Sequence, residues 1–443
     1  MNNKPEQLHR IVIVGGGAGG LELATALGDK LGKRGLASVV LVDAKLTHLW
    51  KPLLHAVAAG TMDADFDELS YMAHATAHHF KFRLGRMTGL DRGKREIRLA
   101  GTYNEAGEEI IPPRTRGYDT LIMAVGSETH DFGIPGVRDH CLFLDSQDQA
   151  RHFQRYFLER WLSANTHPEP LRKGQLNVAI AGGGATGVEL AAELHTATHE
   201  MLHYGLNRIP KDRNIEFNII EAADRLLPGL PEAVSENVHE TLEKLGIKIH
   251  TGQMVSEVTA EGFHTKSGLF VPAEIKVWAA GIKSPDWLRE LDGLETNRKN
   301  QLMVHKTLQT TRDENIFAFG DCAACPMDGE GRFVPPRAQA AHQQARLLVK
   351  TMQARLNGKP LPEYRYSDRG SLVNLSFHDT SGSLMGGLLG KNNRLIVEGW
   401  LARIAYISLY KLHLLALHGI RWVIRMSIVD FLLRRVRPKL KLH

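Results

Sequence analysis

Short apolar runs and glycine-rich turns alternate at the start of the chain in an order that predicts local structure. Residues 10–14 (RIVIV) form an apolar run of strand length, and residues 21–31 (LELATALGDKL) carry apolar positions at helical spacing. Residues 38–42 (SVVLV) are a second run of strand length. Strand, turn, helix and strand in this order predict a βαβ unit, and therefore an α/β fold with a parallel sheet.

The turn of this first unit has the pattern Gly15-x-Gly17-x-x-Gly20. Glycines suit this place because a pyrophosphate must approach bare backbone N–H groups at a helix N-terminus, where the helix dipole favours negative charge. The second strand is followed by Asp43, whose carboxylate can accept hydrogen bonds from a ribose hydroxyl. Together these features predict a dinucleotide site.

The same pattern recurs in QLNVAIAGGGATGVELAAEL, with Gly182, Gly184 and Gly187 in the turn. Its acid, Glu221, comes after a longer interval because YGLNRIPKDRN is inserted between the helix and the second strand. An acid there repels a 2′-phosphate and favours NADH over NADPH, although the nearby Arg225 leaves this preference open. Two complete units predict two dinucleotides, of which FAD and NAD(P)H are the usual pair.

Beyond the glycines, eight stretches resemble one family over essentially the whole chain. They are IVIVGGGAGGLE, HLWKPLLHAVAAG, YDTLIMAVGS, VAIAGGGATGVELAAEL, VWAAGIK, LQTTRDENIFAFGDCA, PPRAQAAHQQA and RVRPKLKLH. The family is that of the type II NADH:quinone oxidoreductases, single-subunit respiratory NADH dehydrogenases of bacterial membranes. The resemblance implies an α/β flavoprotein with two dinucleotide-binding, Rossmann-like domains and a C-terminal helical membrane-binding module.

The resemblance also implies domain boundaries and cofactor contacts. The FAD domain would comprise residues 1–150 and 291–395, the NADH domain 174–290, and the membrane-binding module 396–443. The residues implied for FAD are Gly15, Gly17, Gly20, Asp43, Gly126, Gly320, Asp321 and Ala340. Those implied for NADH are Gly182, Gly184, Gly187, Glu189, Glu221 and Gly281. Glu189 would lie near the nicotinamide, although an acid in the first helical turn can also simply complement the helix dipole.

The stretch PPRAQAAHQQA is the one that implies a quinone as the electron acceptor. Pro335 and Pro336 can begin a helix, and Gln339 and Gln343 then lie one turn apart on one face. In the resembled family this pattern lines the quinone site, and an amide can hydrogen-bond a quinone carbonyl or a quinol hydroxyl. Glu189, Gln339 and Gln343 are therefore the predicted catalytic residues. Without the family, a capped surface helix with incidental glutamines is the simpler interpretation.

Charge is concentrated at the C-terminus. The net charge is +6, but residues 400–443 hold nine Lys or Arg against one acid, or +8, so the rest of the chain sums to −2. The longest run there without Lys, Arg, Asp or Glu, at 412–420, is nine residues, whereas a transmembrane helix needs about 20 apolar residues. A basic, apolar segment of this kind predicts a helix pair lying on a lipid surface, or a pair that closes the core or a dimer.

The pattern in this segment predicts helices at 400–418 and 420–436, separated by Gly419 and stopped by Pro438. In the first helix, His413 would lie on the polar face at the lipid headgroups. The second helix has two apolar stripes, one of which could pack on the body while the other enters lipid. The stripes are Trp422, Met426, Val429 and Leu433, and Ile420, Ile424 and Phe431.

The cysteine pair and the regularly spaced histidines do not predict a functional site. Cys322 and Cys325 lack a second cysteine pair and are interpreted as structural thiols. The histidines spaced four apart lack further ligands, so no metal is predicted. They are His74 and His78, and His195, His199 and His203.

The predicted reaction passes a hydride from NADH to tightly bound FAD and two electrons to ubiquinone or menaquinone, without proton pumping. It would take place on the cytoplasmic face of the bacterial inner membrane, in a peripheral homodimer that binds no nucleic acid. The alternatives are a sulfide:quinone oxidoreductase-like flavoenzyme and a redox-sensing FAD/NAD-binding protein. The complete second glycine unit argues against the first of these.

Overall fold

The computed structural model describes residues 8–63, 68–166, 171–206, 215–327, 331–368, 370–375, 379–385, 394–433 and 440–441. They divide into two compact units. The first unit comprises Met1–Trp50, Glu68–Glu128 and Ile282–Ser367, and the second comprises Lys51–Asp67, Thr129–Gly281 and Asp368–His443.

The described helices, in chain order, are α1 (Ala18–Leu27), α2 (Leu54–Ala59), α3 (Tyr71–Ala77), α4 (Val137–His140), α5 (Gln147–Thr166), α6 (Ala185–His203), α7 (Glu232–Lys244), α8 (Ala338–Leu356), α9 (Gly399–His418) and α10 (Ile420–Leu433). The strands are β1 (His9–Val14), β2 (Ala37–Asp43), β3 (Thr47–His48), β4 (Leu69–Ser70), β5 (Lys81–Leu84), β6 (Met87–Asp91), β7 (Glu96–Leu99), β8 (Thr102–Tyr103), β9 (Glu109–Ile111), β10 (Arg114–Gly117), β11 (Thr120–Met123), β12 (Glu128–Thr129), β13 (Val178–Ala181), β14 (Phe217–Ile220), β15 (Lys248–His250), β16 (Val255–Val258), β17 (Gly262–Thr265), β18 (Phe270–Pro272), β19 (Ile275–Trp278), β20 (Ile282–Lys283), β21 (Leu302–Met303), β22 (Gln309–Thr310), β23 (Asp313–Ala318), β24 (Ala323–Ala324), β25 (Gly370–Leu375), β26 (Asp379–Met385) and β27 (Arg394–Glu398).

The first unit is built on a six-stranded sheet in the order β22-β23-β11-β1-β2-β5. Its strands are parallel except for β22, and the apolar side chains of β1, β2 and β11 are almost completely buried. Burial on both faces explains why these strands read as continuous apolar runs. Helix α1 packs against α8, and β6, β7 and β10 form a small antiparallel sheet.

The second unit repeats this plan with a four-stranded parallel sheet in the order β15-β14-β13-β19. Helix α6 follows β13 and packs against the short helix α2. An antiparallel sheet of β16, β17 and β18 covers an apolar cluster that includes Phe263 and Trp278. Both βαβ units therefore lie where the sequence predicts them, and each ends a buried parallel strand at a glycine-rich turn.

The C-terminal part of the second unit contains the antiparallel sheet β25-β26-β27 and the helices α9 and α10. The helices begin within a residue of the predicted positions, and Gly419 between them is left-handed, with φ +75°. Pro438, the predicted stop, lies outside the described residues. Within the described part of the chain, every helix is too short or too polar to cross a bilayer.

The end of the chain returns to the body of the second unit. Leu440 is buried, and the Lys441 N–H donates to the Gly60 carbonyl at 2.8 Å. The Gln154 side chain donates to the Lys441 carbonyl, also at 2.8 Å, and the Lys441 ammonium lies 2.7 Å from Asp63. We refer to Leu440 and Lys441 as the terminal clasp. Lys441, assigned to lipid from its charge, is thus already paired with an acid of the protein.

Candidate functional site

The glycine turn of the first unit forms an open cradle at the N-terminus of α1. Gly15 has φ +103°, and a Cβ on Gly20 would lie 1.9 Å from the Gly15 carbonyl oxygen. The fold itself therefore requires both of these glycines. A Cβ on Gly17 would instead have no protein atom within 4 Å. The space beside Gly17 is available to a ligand that approaches the backbone, as a pyrophosphate does.

Asp43 closes this cradle at the end of β2. Its Oδ2 accepts from the Gly16 N–H at 2.6 Å and its Oδ1 from the Lys45 N–H at 2.8 Å. Burial raises the pKa of Asp43, while the two backbone hydrogen bonds oppose that rise. The carboxylate is thereby fixed beside the glycine turn, where a ribose hydroxyl can reach it.

Two residues that the sequence did not indicate hold the turn from the other side. The Tyr71 hydroxyl donates to the Gly16 carbonyl at 2.7 Å, and His48 Nδ1 lies 3.0 Å from the same oxygen. Burial lowers the pKa of His48 to about 4, so its neutral ring donates from Nδ1. Neither residue has a fixed spacing from the glycines, which is why the motif alone could not identify them.

The second cradle repeats the first. Gly182 has φ +115°, a Cβ on Gly187 would lie 2.0 Å from the Gly182 carbonyl oxygen, and a Cβ on Gly184 would meet nothing within 4 Å. Glu221 accepts from the Gly183 N–H at 2.5 Å and from the Ala223 N–H at 2.8 Å. The inserted loop therefore did not displace the acid from the turn. Both cradles combine open backbone with a fixed acid, as FAD and NADH require.

The other residues implied for FAD lie in the first unit. Gly126 (φ +73°) and Gly320 (φ +71°) occupy left-handed backbone that favours glycine, and Ser127 Oγ donates to Asp321 Oδ2 at 2.8 Å. Ala340 is buried in the first turn of α8. In the second unit, Gly281 (φ +66°) faces the Phe132 ring, which a Cβ would approach to 2.4 Å. Close packing against Phe132 therefore also explains why residue 281 is a glycine.

Glu189 is buried in the second unit on α6. Its Oε1 accepts from the Asn374 N–H at 3.0 Å, and its Oε2 lies 3.5 Å from His55 Nδ1 on α2. Burial raises the pKa of Glu189 to about 8 and lowers that of His55 to about 4, so both groups are neutral near pH 7. Helix α6 begins at Ala185 and has no acid in its first turn, so Glu189 is not the first-turn acid of the dipole interpretation. His55 belongs to HLWKPLLHAVAAG, but its contact with Glu189 has no signal in the spacing.

Both predicted quinone-site glutamines lie on α8, which begins at Ala338 with Arg337 as the N-cap. Gln339 is in the first turn. Gln343 forms hydrogen bonds to the backbone of Ser367 and to the Tyr364 hydroxyl.

Cys322 and Cys325 are completely buried, and the Cys322 thiol donates to the Phe319 carbonyl at 3.3 Å. Burial raises the pKa of Cys322 to about 11 and that of Cys325 to about 12, which disfavours reactive thiolates. His195 packs edge-on against Phe217, with ring centroids 5.6 Å apart. These contacts agree with a structural interpretation of the two cysteines and of His195.

Two dinucleotide cradles on two parallel sheets define a flavoprotein class that takes electrons from a nicotinamide. In agreement, residues 9–345 match the family described as pyridine nucleotide-disulphide oxidoreductase. The chain is 44% identical to a type II NADH:quinone oxidoreductase of Haemophilus influenzae, over 98% of this chain and 100% of that protein. A Staphylococcus aureus protein of the same name is 26% identical over 85% of this chain and 90% of its own length. The chain belongs to the type II NADH:quinone oxidoreductases.

The fold agrees with this assignment. The structure of NDH2 from Plasmodium falciparum in complex with NADH superposes with a TM-score of 0.81 at 20% identity, covering 98% of this chain and 100% of that one. The predictions of the family, the fold class, and FAD and NADH as dinucleotides are therefore confirmed. The sulfide:quinone oxidoreductase and redox-sensor alternatives are not favoured.

Proposed function

We propose that this chain is a peripheral membrane enzyme that oxidises NADH and reduces ubiquinone or menaquinone without pumping protons. The assignment of this reaction rests on family membership, because the chain is 44% identical to a relative whose name describes the reaction and covers the whole length of that relative. The balanced reaction consumes NADH, one proton and quinone and releases NAD⁺ and quinol. FAD, when bound, supplies the two-electron chemistry that joins these substrates.

The residues of the first unit would hold the flavin cofactor. The backbone around Gly17 would face the pyrophosphate, and Asp43 would accept a hydrogen bond from the ribose. Asp321, fixed by Ser127, is assigned to the ribityl region. The N-terminal turn of α8, with Ala340, is assigned to the flavin, where the positive end of the helix dipole would favour negative charge.

NADH is assigned to the second cradle, with Glu221 on the adenosine ribose. Arg225, which left the choice of NADH over NADPH open, donates to the Leu230 carbonyl at 3.1 and 3.2 Å and to the Pro228 carbonyl at 3.2 Å. These bonds hold the Arg225 guanidinium on its own loop, so it would not offset the repulsion between the Glu221 carboxylate and a 2′-phosphate. Glu189 is assigned to the nicotinamide end, and Gln339 and Gln343 are assigned to the quinone.

Exposed apolar side chains on α10 support attachment to lipid. Ile420, Ile424, Ile428 and Leu432 recur every four residues and are 54–59% exposed. Burying them contributes roughly 3–6 kcal/mol to binding, and the exposed Arg421 and Arg425 add about 2 kcal/mol at an anionic surface.

This face extends one of the two predicted stripes, since Ile428 and Leu432 join Ile420 and Ile424. The prediction for His413 was wrong. It is buried rather than at the headgroup boundary.

Vesicle co-sedimentation tests the membrane assignment. The double variant Ile424→Asp/Ile428→Asp should weaken binding to anionic vesicles at least about tenfold, because two half-exposed apolar contacts are lost. Ile110→Asp is the matched control, since Ile110 is 61% exposed on β9 in the other unit. The double variant should lose activity with long-chain quinone but keep it with a water-soluble quinone. Unchanged sedimentation would contradict the lipid assignment.

The cytoplasmic face, the homodimer and the domain boundaries at 1–150, 174–290, 291–395 and 396–443 belong to the same proposal. Protease digestion of inverted and right-side-out membrane vesicles tests the sidedness. Light scattering in detergent tests the homodimer, and DNA co-sedimentation tests the expectation that nucleic acid is not bound. A proton gradient generated by this protein alone in sealed vesicles would contradict the absence of pumping.

A further inference from the structure

Two arginines of β10 lie on the inner face of the small antiparallel sheet in the first unit. Arg114 pairs with Leu99 of β7, and Arg116 pairs with Ile97. Paired residues of an antiparallel ladder lie on the same face, and both apolar partners are buried. Arg114 and Arg116 are therefore directed inwards and are half-buried, although a guanidinium is usually kept in water.

The guanidinium groups of these two arginines are only partly paired. Arg114 Nη2 donates to the Leu84 carbonyl at the end of β5. Arg114 Nη1 and Arg116 Nε are buried, and neither has an acceptor among the described residues. A buried donor without an acceptor costs free energy, and the cost is larger for a charged group. These two atoms therefore point to an acceptor from outside this part of the chain.

Two further arginines, on strands of the six-stranded sheet, add positive charge around Arg116. A Cβ on Gly117 would lie 2.5 Å from Arg10 Nη1, so the Arg10 guanidinium lies against the residue next to Arg116. Arg83 is exposed on the edge strand β5, and its Nη1 donates to the Phe82 carbonyl at 2.8 Å. Burial, followed by the charges of Arg83 and Arg10, lowers the pKa of Arg116.

The acids nearby act on Arg10 rather than on Arg116. Asp119 accepts from the Arg10 guanidinium at 2.9 and 3.1 Å. The Asp119 bonds, and to a smaller extent the charge of Glu96, raise the pKa of Arg10. These two acids therefore leave the positive charge around Arg116 uncompensated. We refer to Arg10, Arg83, Arg114 and Arg116 as the arginine cluster.

We propose that the arginine cluster binds a small soluble phosphate, either inorganic phosphate or a phosphate monoester. Phosphate oxygens are strong acceptors, and the planar guanidinium fork matches them at two points. A small ligand is favoured because the unpaired donors are buried on the inner face of the sheet, where the phosphates of a bilayer surface would not reach. The site is distinct from the first cradle, because Arg10 lies near the start of β1 and the glycine turn follows its end.

Isothermal titration calorimetry of the FAD-loaded protein with inorganic phosphate at low ionic strength tests this site. Arg116→Gln should weaken phosphate binding at least about tenfold, because it removes a charged two-point donor. Arg98→Gln is the matched control, because it changes the charge equally on the same sheet. Arg98 pairs with Thr115, and both are exposed on the outer face. This control should keep the affinity within about twofold of the wild type, since an exposed charge is screened.

Arg83→Gln is a milder variant in case Arg116→Gln folds poorly, because Arg83 is exposed. It should weaken phosphate binding about twofold to fivefold, the range for a surface charge. The proposal is overturned if the wild type binds no phosphate, or if Arg98→Gln weakens binding as much as Arg116→Gln does. Arg116-dependent sedimentation with phosphatidic acid vesicles, without binding of inorganic phosphate, would assign the cluster to lipid and also overturn it.

Discussion

The buried carboxyl of Glu189 makes the stability of the second unit depend on pH in a predictable way. Its pKa is raised from 4.5 to about 8, so the folded protein holds a proton that the unfolded chain has lost at neutral pH. The native state then binds more protons, and stability falls as pH rises from 4.5 to 8. Glu189→Gln keeps an acceptor for the Asn374 N–H and removes this loss.

The variant should therefore be more stable than the wild type, by a margin that grows with pH. Relative to the margin at pH 5, the gain is about 2.5 kcal/mol at pH 7 and about 4 kcal/mol at pH 9, from the shift at 1.36 kcal/mol per pH unit. Urea unfolding of FAD-loaded protein at these three pH values, followed by tryptophan fluorescence, measures the difference. A margin that stays constant from pH 5 to pH 9 would refute the assignment of a protonated Glu189.

His55 provides an internal control with the opposite sign. Its pKa is lowered to about 4, so the native state binds fewer protons than the unfolded chain, and stability is lost as pH falls from 6.5 to 4. Glu189→Gln retains His55, and this acid-side loss therefore cancels in the comparison. His55→Gln should reduce the loss below pH 6.5 and leave the decline above pH 7 in place.

Three further predictions follow from the cradles and the chain end. Gly17→Ala should fold, because its Cβ would meet no protein atom, but it should lose FAD affinity, because that open space is assigned to the pyrophosphate. Gly20→Ala should fold poorly, because its Cβ would lie 1.9 Å from the Gly15 carbonyl oxygen. Flavin absorbance and circular dichroism distinguish the two outcomes. Leu440→Ala should destabilise the second unit by about 2–4 kcal/mol, as other buried leucines do, measured by urea unfolding. Arg225→Ala should leave the ratio of NADH to NADPH oxidation rates unchanged, and a gain or loss of NADPH use would contradict its structural assignment.

The sequence predicted the cradles well because their requirements are local. A left-handed residue at Gly15 and a close backbone approach at Gly20 are properties of a few adjacent positions, so they leave a fixed spacing. The acids at Asp43 and Glu221 follow directly from the strand that each ends. Even an insertion before β14 changed only the interval to Glu221, because the parallel sheet returns the strand to the same place.

The contacts that hold these cradles were not predictable because they join distant parts of the chain. Tyr71 and His48 are 55 and 32 positions away from Gly16, with nothing in the sequence between them that fixes these intervals. The same is true of the C-terminal helices α9 and α10. Helical spacing predicted α10, but which stripe remains exposed depends on what packs against the other one.

The terminal clasp has a thermodynamic consequence for attachment to a surface. An amphipathic peptide that folds as it binds loses about 1–2 kcal/mol of backbone entropy for each residue it orders. Here α9 packs on β26, and Leu440 and Lys441 are fixed beside Gly60, so the described part of the helix pair is held before any bilayer is met. The proposed binding to lipid would then use a preorganised apolar face, and a purification tag is better placed before Met1 than after His443, next to the clasp.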